Sequence, residues 1–109
     1  MKARLRTLTL AALVSVNLPS HAVDTVVVTN ASQLTWFYDS SSGKVYFRNL
    51  DQFNANFLGC CFNWYIDTST TVGRTLWASI LLKMAGAQPI NLIVGAMNTA
   101  GPVLYAGNW

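Results

Sequence analysis

Residues 60–94 read CCFNWYIDTSTTVGRTLWASILLKMAGAQPINLIV, and three structural patterns follow one another in this stretch. Apolar and polar residues alternate over residues 60–67, which predicts a strand. Apolar residues then recur at helical spacing over residues 71–85, between Thr and Ser residues that can cap the first amides and a Gly at position 86. Alternation returns at residues 90–95, so the stretch predicts a strand, a helix and a strand. The first of these strands is expected to turn one set of side chains inward, namely Cys60, Phe62, Trp64 and Ile66.

Shorter patterns on both sides complete the element order. Residues 24–29, DTVVVT, are β-branched, and residues 33–38 continue the extended run after a kink, so both are assigned to one long first strand. Residues 44–50, KVYFRNL, alternate as a half-buried second strand, and residues 103–107 form the last strand. The chain is therefore predicted to be mainly β, with three strands, one helix and two strands.

The loop over residues 51–59, DQFNANFLG, joins the second and third predicted strands. It contains apolar side chains that a solvated loop does not need. We expect these side chains to fold back over the core as a lid, and they are Phe53, Phe57 and Leu58.

The predicted helix has two contrasting faces. One face carries an apolar stripe that is expected to pack on the sheet, formed by Leu76, Trp77, Ile80, Leu81, Met84 and Ala85. The other face has little charge, since only Arg74 and Lys83 accompany a set of small and apolar residues, Thr75, Ala78, Ser79 and Leu82. This second face is either a weakly polar surface or a face packed against copies of the chain in a ring.

The first 22 residues have the three zones of an export signal. A cationic start is followed by an apolar run at residues 8–18 and by a small-residue ending at Ala22. The apolar run is roughly half of the ~20 residues that span a bilayer. We therefore expect a signal peptide over residues 1–22, one secreted or periplasmic domain over residues 23–109, and no membrane span after cleavage.

Once the predicted signal peptide is removed, the chain has no His and no Glu. The single His is at position 21, and the acids are four Asp in four different segments, which we interpret as turn and cap residues. A Ser/His/Asp or Cys/His apparatus and a His-containing zinc site cannot then be assembled. There is also no run of oxygen ligands for calcium and no Gly-rich phosphate loop. A non-catalytic protein without a metal ion or cofactor is predicted.

Net charge argues against nucleic acid as a partner. The four bases that follow the predicted signal peptide are balanced by the four Asp residues. Binding to a phosphate backbone draws on several Lys or Arg side chains in one groove. We therefore expect a glycan or protein partner instead.

The outward faces of the second and third strands provide the candidate binding site. In any antiparallel pairing, Tyr46 and Arg48 lie beside Asn63, Tyr65 and Asp67. Aromatic rings can stack on a sugar ring, while the guanidinium, amide and carboxylate groups can hydrogen-bond its hydroxyls. The alternative is an ordinary strand surface or a contact between subunits.

Cys60 and Cys61 are adjacent, and three states are open to them. Adjacent Cα atoms lie about 3.8 Å apart, whereas ordinary disulfides prefer about 4.4 to 6.8 Å. Their side chains would also point to opposite faces of a strand. The pair is either a buried thiol at Cys60 with an outward Cys61, a vicinal disulfide, or an intermolecular bridge.

The predicted element order is that of the OB-fold, a small five-stranded Greek-key barrel, and an independent α+β sandwich is the alternative that shares it. The long, interrupted first strand favours the barrel. In addition, LLKMAGAQPINLIV at residues 81–94, with the upstream Trp77, resembles the helix-Gly-Gln-Pro-strand element of the B subunits of subtilase-cytotoxin-like and pertussis-like AB5 toxins. Those subunits are secreted, OB-folded, sugar-binding pentamers. The chain lacks their spaced cysteine pairs, and none of their sugar-contacting residues can be matched to a position here.

Together these features predict a secreted, non-catalytic binding module, an OB-like barrel that binds a glycan in the manner of a toxin B subunit. The resemblance and the abundance of aromatic residues, 4 Trp, 4 Tyr and 5 Phe, also lead us to expect a homo-oligomer. The alternative function is that of a structural or protein-interaction component of the bacterial envelope.

Overall fold

Six strands and two α-helices lie along residues 23–109, the part of the chain that the computed structural model describes. The predicted signal peptide and its cleavage site after Ala22 fall outside these residues. In chain order the elements are β1 (Asp24–Val28), β2 (Trp36–Asp39), β3 (Lys44–Phe47), α1 (Leu50–Phe53), β4 (Trp64–Asp67), α2 (Thr71–Ala85), β5 (Ile90–Val94) and β6 (Gly101–Gly107).

The strands form one mixed sheet in the order β1-β5-β6-β4-β3-β2. All neighbours are antiparallel except β4 and β6, which run parallel and pair over only two positions, Trp64 with Gly101 and Tyr65 with Pro102. The mainly β class and the position of the long helix between the third and fourth predicted strands are confirmed.

The prediction of five strands closed into a barrel needs correction, because the sheet has six strands and is not a closed barrel. The expected long first strand is divided by a 3-10 turn at Ala31–Gln33. The Asn30 side chain accepts hydrogen bonds from the backbone N–H of Ser32 at 3.0 Å and from its hydroxyl at 2.7 Å. These local bonds replace ladder bonds, and the two halves, β1 and β2, lie at opposite edges of the sheet.

The third predicted strand begins four residues late, at Trp64 instead of Cys60. Side chains satisfy the backbone in the preceding segment, since the Asn63 amide donates to the Gly59 carbonyl oxygen at 2.8 Å and the Trp64 indole N–H donates to that of Leu58 at 3.0 Å. Trp64 and Ile66 face inward as predicted. The inward placement of Cys60 and Phe62 is wrong, because both are exposed.

The core lies between α2 and one face of the sheet, and the lid residues pack against it. The lid is confirmed: Phe57 is buried, and Phe53 and Leu58 pack against the core. Its first residues are helical, as α1, where a loop was expected. The buried side chains of the core are Val26, Val28, Ala31, Leu34, Val45, Phe47, Leu50, Phe57, Trp64, Ile66, Ile80, Ile90, Leu92, Val94 and Val103.

The bounds of α2 match the prediction. The Thr70 hydroxyl accepts a hydrogen bond from the Gly73 N–H at 2.9 Å at the start, and the helix ends at Gly86. Ile80 is fully buried, and Leu76, Trp77 and Met84 pack against the core. Two members of the predicted stripe, Leu81 and Ala85, are instead exposed, so the buried stripe is narrower than the sequence indicated.

Gly73 fixes how closely the first turn of α2 approaches the end of β4. A Cβ atom added there would clash with the backbone carbonyl oxygen of Asp67. Although Gly→Ala in a helix normally stabilises by about 1 kcal/mol, we expect Gly73→Ala to lower the free energy of unfolding by about 2 to 3 kcal/mol because backbone must move. Urea denaturation measures this change.

The matched control is Gly95→Ala, because an added Cβ at Gly95 meets no atom within 4 Å. This variant should stay within about 0.5 kcal/mol of the wild type. An increase in stability for Gly73→Ala would contradict the described packing of α2 on β4.

Candidate functional site

Three aromatic rings lie side by side on the sheet face opposite the core. The register places Phe37 of β2 opposite Tyr46 of β3, and Tyr46 opposite Tyr65 of β4. The Phe37 and Tyr46 rings stack at 5.2 Å between centroids, and the Tyr46 and Tyr65 centroids are 5.9 Å apart. Because neighbouring residues in a strand alternate in direction, burial of Phe47 and Trp64 turns these rings outward.

A fourth ring comes from the segment before β4. Phe62 meets Phe37 edge-on at 5.1 Å and Tyr46 at 5.7 Å, and its side chain is 63% exposed. Such edge-to-face pairs contribute about 0.5 to 1.5 kcal/mol beyond burial. We call Phe37, Tyr46, Phe62 and Tyr65 the outer aromatic cluster.

Lys44 lies at one end of the outer aromatic cluster. Its Nζ atom is 4.7 Å from the centroid of the Tyr65 ring, a cation–π arrangement. In the register, Lys44 is opposite Asp39 on one side and Asp67 on the other. The charges at this end are therefore arranged as acid, base and acid across three strands.

Arg48 lies beyond the other end of β3, next to the two cysteines. Cys60 and Cys61 are joined as a vicinal disulfide, and Arg48 Nη2 donates to their Sγ atoms at 3.2 Å and 3.1 Å. Arg48 is exposed. Within residues 23–109 it forms no ion pair with a carboxylate.

Two of the predicted site residues are engaged in local structure. The Asn63 amide holds the segment before β4 through its bond to Gly59. One carboxylate oxygen of Asp67 accepts from the Ser69 N–H at 3.0 Å and from the Ser69 hydroxyl at 2.6 Å. Of the five predicted residues, the structure brings Tyr46 and Tyr65 into contact, and Arg48 contacts the disulfide.

Sequence reasoning missed Phe37, Lys44 and Phe62 as members of the site. The register of β2, β3 and β4 places Phe37 and Lys44 beside the two tyrosines. Alternation within one strand does not reveal this register. The predicted start of the third strand at Cys60 places Phe62 inward, whereas the strand begins at Trp64 and Phe62 is exposed. The signal that could have placed it is Asn63, since Asn is depleted in strands.

Both aspartates at the Lys44 end have a lowered pKa. The Ser69 hydroxyl lowers the pKa of Asp67 most, followed by the Ser69 N–H, and Lys44 adds a smaller effect. The Ser41 hydroxyl and N–H, with the Ser42 hydroxyl, lower the pKa of Asp39. Both carboxylates are therefore charged at neutral pH, which makes them hydrogen-bond acceptors and poor general bases.

Neither a metal-ligating cluster nor a membrane-spanning helix is found among the described residues. No group of three metal-ligating side chains comes together within residues 23–109. In the same part of the chain, no helix has both the length and the apolar character that crossing a membrane requires. The arrangement at the outer aromatic cluster is that of a surface for stacking and hydrogen bonding.

A second surface follows α2. A groove of about 450 Å³ runs between the helix and β6, lined by uncharged side chains that include Val72, Thr75, Leu104 and Tyr105. Farther along the helix, Leu82 is 73% exposed. The weakly charged helix face predicted from the sequence is thus at the surface of the described domain.

Comparison with protein families, with curated proteins and with solved structures gives no match for this chain. Its function is therefore inferred from the residues and their contacts.

The hydroxyl groups of two serines set the acid titration of the two aspartates. A lowered pKa in the folded chain adds stability that is present above the ordinary value of 3.8 and is lost as the pH falls through the lowered value. We expect Ser69→Ala to raise the pKa of Asp67 towards 3.8, because its largest stabilising bond is removed. Carboxyl ¹³C NMR titration measures both aspartates in one sample.

Ser41→Ala is the matched variant, and it should raise the pKa of Asp39 while leaving Asp67 unchanged. An Asp67 titration that does not move in Ser69→Ala would contradict the described turn.

Proposed function

We propose that the chain is an exported, non-catalytic binding module and that its outer aromatic cluster binds a glycan. The observation that carries this proposal is the register of β2, β3 and β4, which aligns three aromatic rings on one exposed face. Charged hydrogen-bonding groups flank this row, with Asp39, Lys44 and Asp67 on one side and Arg48 on the other. Sugar recognition needs that combination of ring surfaces and polar groups.

The exposure of the rings supports contact with a ligand of moderate size. Phe62 projects with most of its surface exposed, whereas Tyr46 is half-buried between Phe37 and Tyr65. Phe62 would therefore contribute the most accessible ring surface. The half-buried Tyr65, at the β4 end of the row, would add to it, and Tyr46 would hold both rings in place. Lys44 and Arg48 would donate hydrogen bonds to hydroxyl or ring oxygens.

The charge balance favours a hydroxyl-rich ligand over a phosphate-rich one. Lys44 and Arg48 are matched on the same face by Asp39 and Asp67, which are charged at neutral pH. A nucleic-acid backbone would meet two carboxylates along with two cations, which removes most of the electrostatic gain. Sugar hydroxyls accept and donate, and they can use both kinds of group.

We further propose that the fold is OB-like, with β1 and β2 as the two halves of one interrupted strand. The link between them is bonded on both sides, since the Ala31 N–H donates to the Gln88 carbonyl oxygen at 2.9 Å and the Arg48 N–H donates to that of Thr35 at 2.9 Å. Counted this way, three strands precede α2 and two follow it. OB-folds bind oligosaccharides on the face of their second and third strands, which are β3 and β4 here.

More specifically, we propose that the chain is similar to the B subunits of AB5 toxins. This similarity is supported by the helix-Gly-Gln-Pro-strand passage and by the predicted signal peptide. The weakly charged face of α2 and the groove beside it would then serve self-association. Under this interpretation a separate catalytic subunit would be encoded beside this chain.

The second candidate function is a protein-interaction component of the bacterial envelope. The observation that favours it is the pair of apolar side chains that α2 exposes most, Val72 at 72% and Leu82 at 73%. Exposed apolar surface of this kind is typical of protein contacts. A genomic neighbourhood without a toxin-like catalytic chain would favour this function.

A glycan array probed with folded residues 23–109 tests the proposal. We expect binding to a defined set of glycans and a loss of about tenfold or more in affinity for Tyr65→Ala, which corresponds to about 1.4 kcal/mol. The reason is that the ring stacked on the sugar is removed. Isothermal calorimetry with the best glycan measures the change.

Trp109→Ala is the control, since Trp109 is 64% exposed and follows β6, outside both the outer aromatic cluster and the groove along α2. Its affinity should equal that of the wild type. Absence of any bound glycan for a folded sample, or equal losses in both variants, would contradict the proposal.

A further inference from the structure

We propose that the Cys60–Cys61 disulfide is a site of thiol–disulfide exchange, at which a thiol of another molecule attacks Cys60 and Arg48 stabilises the departing Cys61 thiolate. The juxtaposition that carries this inference is one guanidinium nitrogen, Arg48 Nη2, bonded to both sulfurs of a surface disulfide. The inference goes beyond the proposed glycan site, and it stands independently of any sugar ligand.

Exposure decides which sulfur an incoming thiol meets first. Cys60 is exposed, whereas Cys61 is half-buried. Exchange rates depend on which sulfur is accessible to the attacking thiolate. The attack is therefore expected at Cys60, with Cys61 as the leaving group.

Arg48 is free to stabilise the charge that develops on the leaving sulfur. It contacts both Sγ atoms at 3.2 Å or less, and no carboxylate within residues 23–109 forms an ion pair with it. A neighbouring guanidinium stabilises a thiolate over a thiol, and a stabilised thiolate leaves faster. The disulfide thus faces a positive charge on Arg48.

The exchange step balances without an external oxidant. The thiolate of the incoming molecule forms a new S–S bond to Cys60 Sγ, the Cys60–Cys61 bond breaks, and its electron pair remains on Cys61 Sγ. One disulfide is consumed and one mixed disulfide is formed. A second thiol that attacks the mixed disulfide releases the Cys60 thiol and completes reduction of the pair.

The surrounding fold does not depend on the disulfide for its hydrogen bonds. Both cysteines precede β4, so opening the Cys60–Cys61 disulfide breaks no hydrogen bond between the strands. The segment is bracketed instead by the Asn63 bond to Gly59 and the Trp64 bond to Leu58. The opened form is therefore expected to stay folded, which allows the reaction to be followed on the native protein.

Reduced glutathione is a suitable probe thiol. Folded residues 23–109 are incubated with excess glutathione, quenched with iodoacetamide and digested, and the modified peptide is sequenced by mass spectrometry. We expect glutathione on Cys60 and the alkyl group on Cys61. The opening rate should fall about threefold to tenfold in Arg48→Gln and recover in part in Arg48→Lys, because the positive charge returns.

Two controls separate the local effect of Arg48 from effects on folding. Arg74→Gln removes a different exposed arginine, on α2, and should open at the wild-type rate. In denaturing urea, wild type and Arg48→Gln should open equally fast. Glutathione found mainly on Cys61, or equal rates for folded wild type and Arg48→Gln, would overturn the inference.

Discussion

The pairing of Phe47 with Trp64 across β3 and β4 determines which face of the sheet carries the outer aromatic cluster. Both side chains are buried, at 0% and 1% exposure, and Phe47 also meets Trp77 of α2 at 5.9 Å between ring centroids. Since strand side chains alternate, this register leaves Tyr46 and Tyr65 no place but the opposite face. A slip of one residue would exchange the two faces and place the tyrosines in the core.

The segment before β4 adds to this face what the regular strands cannot. This segment lies outside the strand pairing, which begins at Trp64. It places Phe62 edge-on against Phe37 and Tyr46, and it brings the disulfide next to Arg48. The aromatic face and the disulfide therefore share one short segment. Exchange at Cys60 would act on a neighbour of Phe62, so the two proposed properties are physically connected although their tests are separate.

The parts of the fold that local chemistry determines were predictable from the sequence. Thr70 and Gly86 set the bounds of α2, and the inward placement of Trp64 and Ile66 followed from alternation. The early start of the third strand and the single long first strand were wrong, because Asn63 and Asn30 use their side chains to replace ladder bonds. The sequence predicted Tyr46 and Tyr65 as neighbours. The places of Phe37 and Lys44 beside them depend on the register between strands, which no single segment encodes.

Nuclear Overhauser effects from the Tyr46 ring protons in the folded domain test the central claim most directly, because they report the side of the sheet on which Tyr46 lies. The described register predicts contacts from the Tyr46 ring to the rings of Phe37, Phe62 and Tyr65, and none to Ile80 in the core. Contacts between Tyr46 and Ile80 would place the proposed binding face inside the protein and contradict the account.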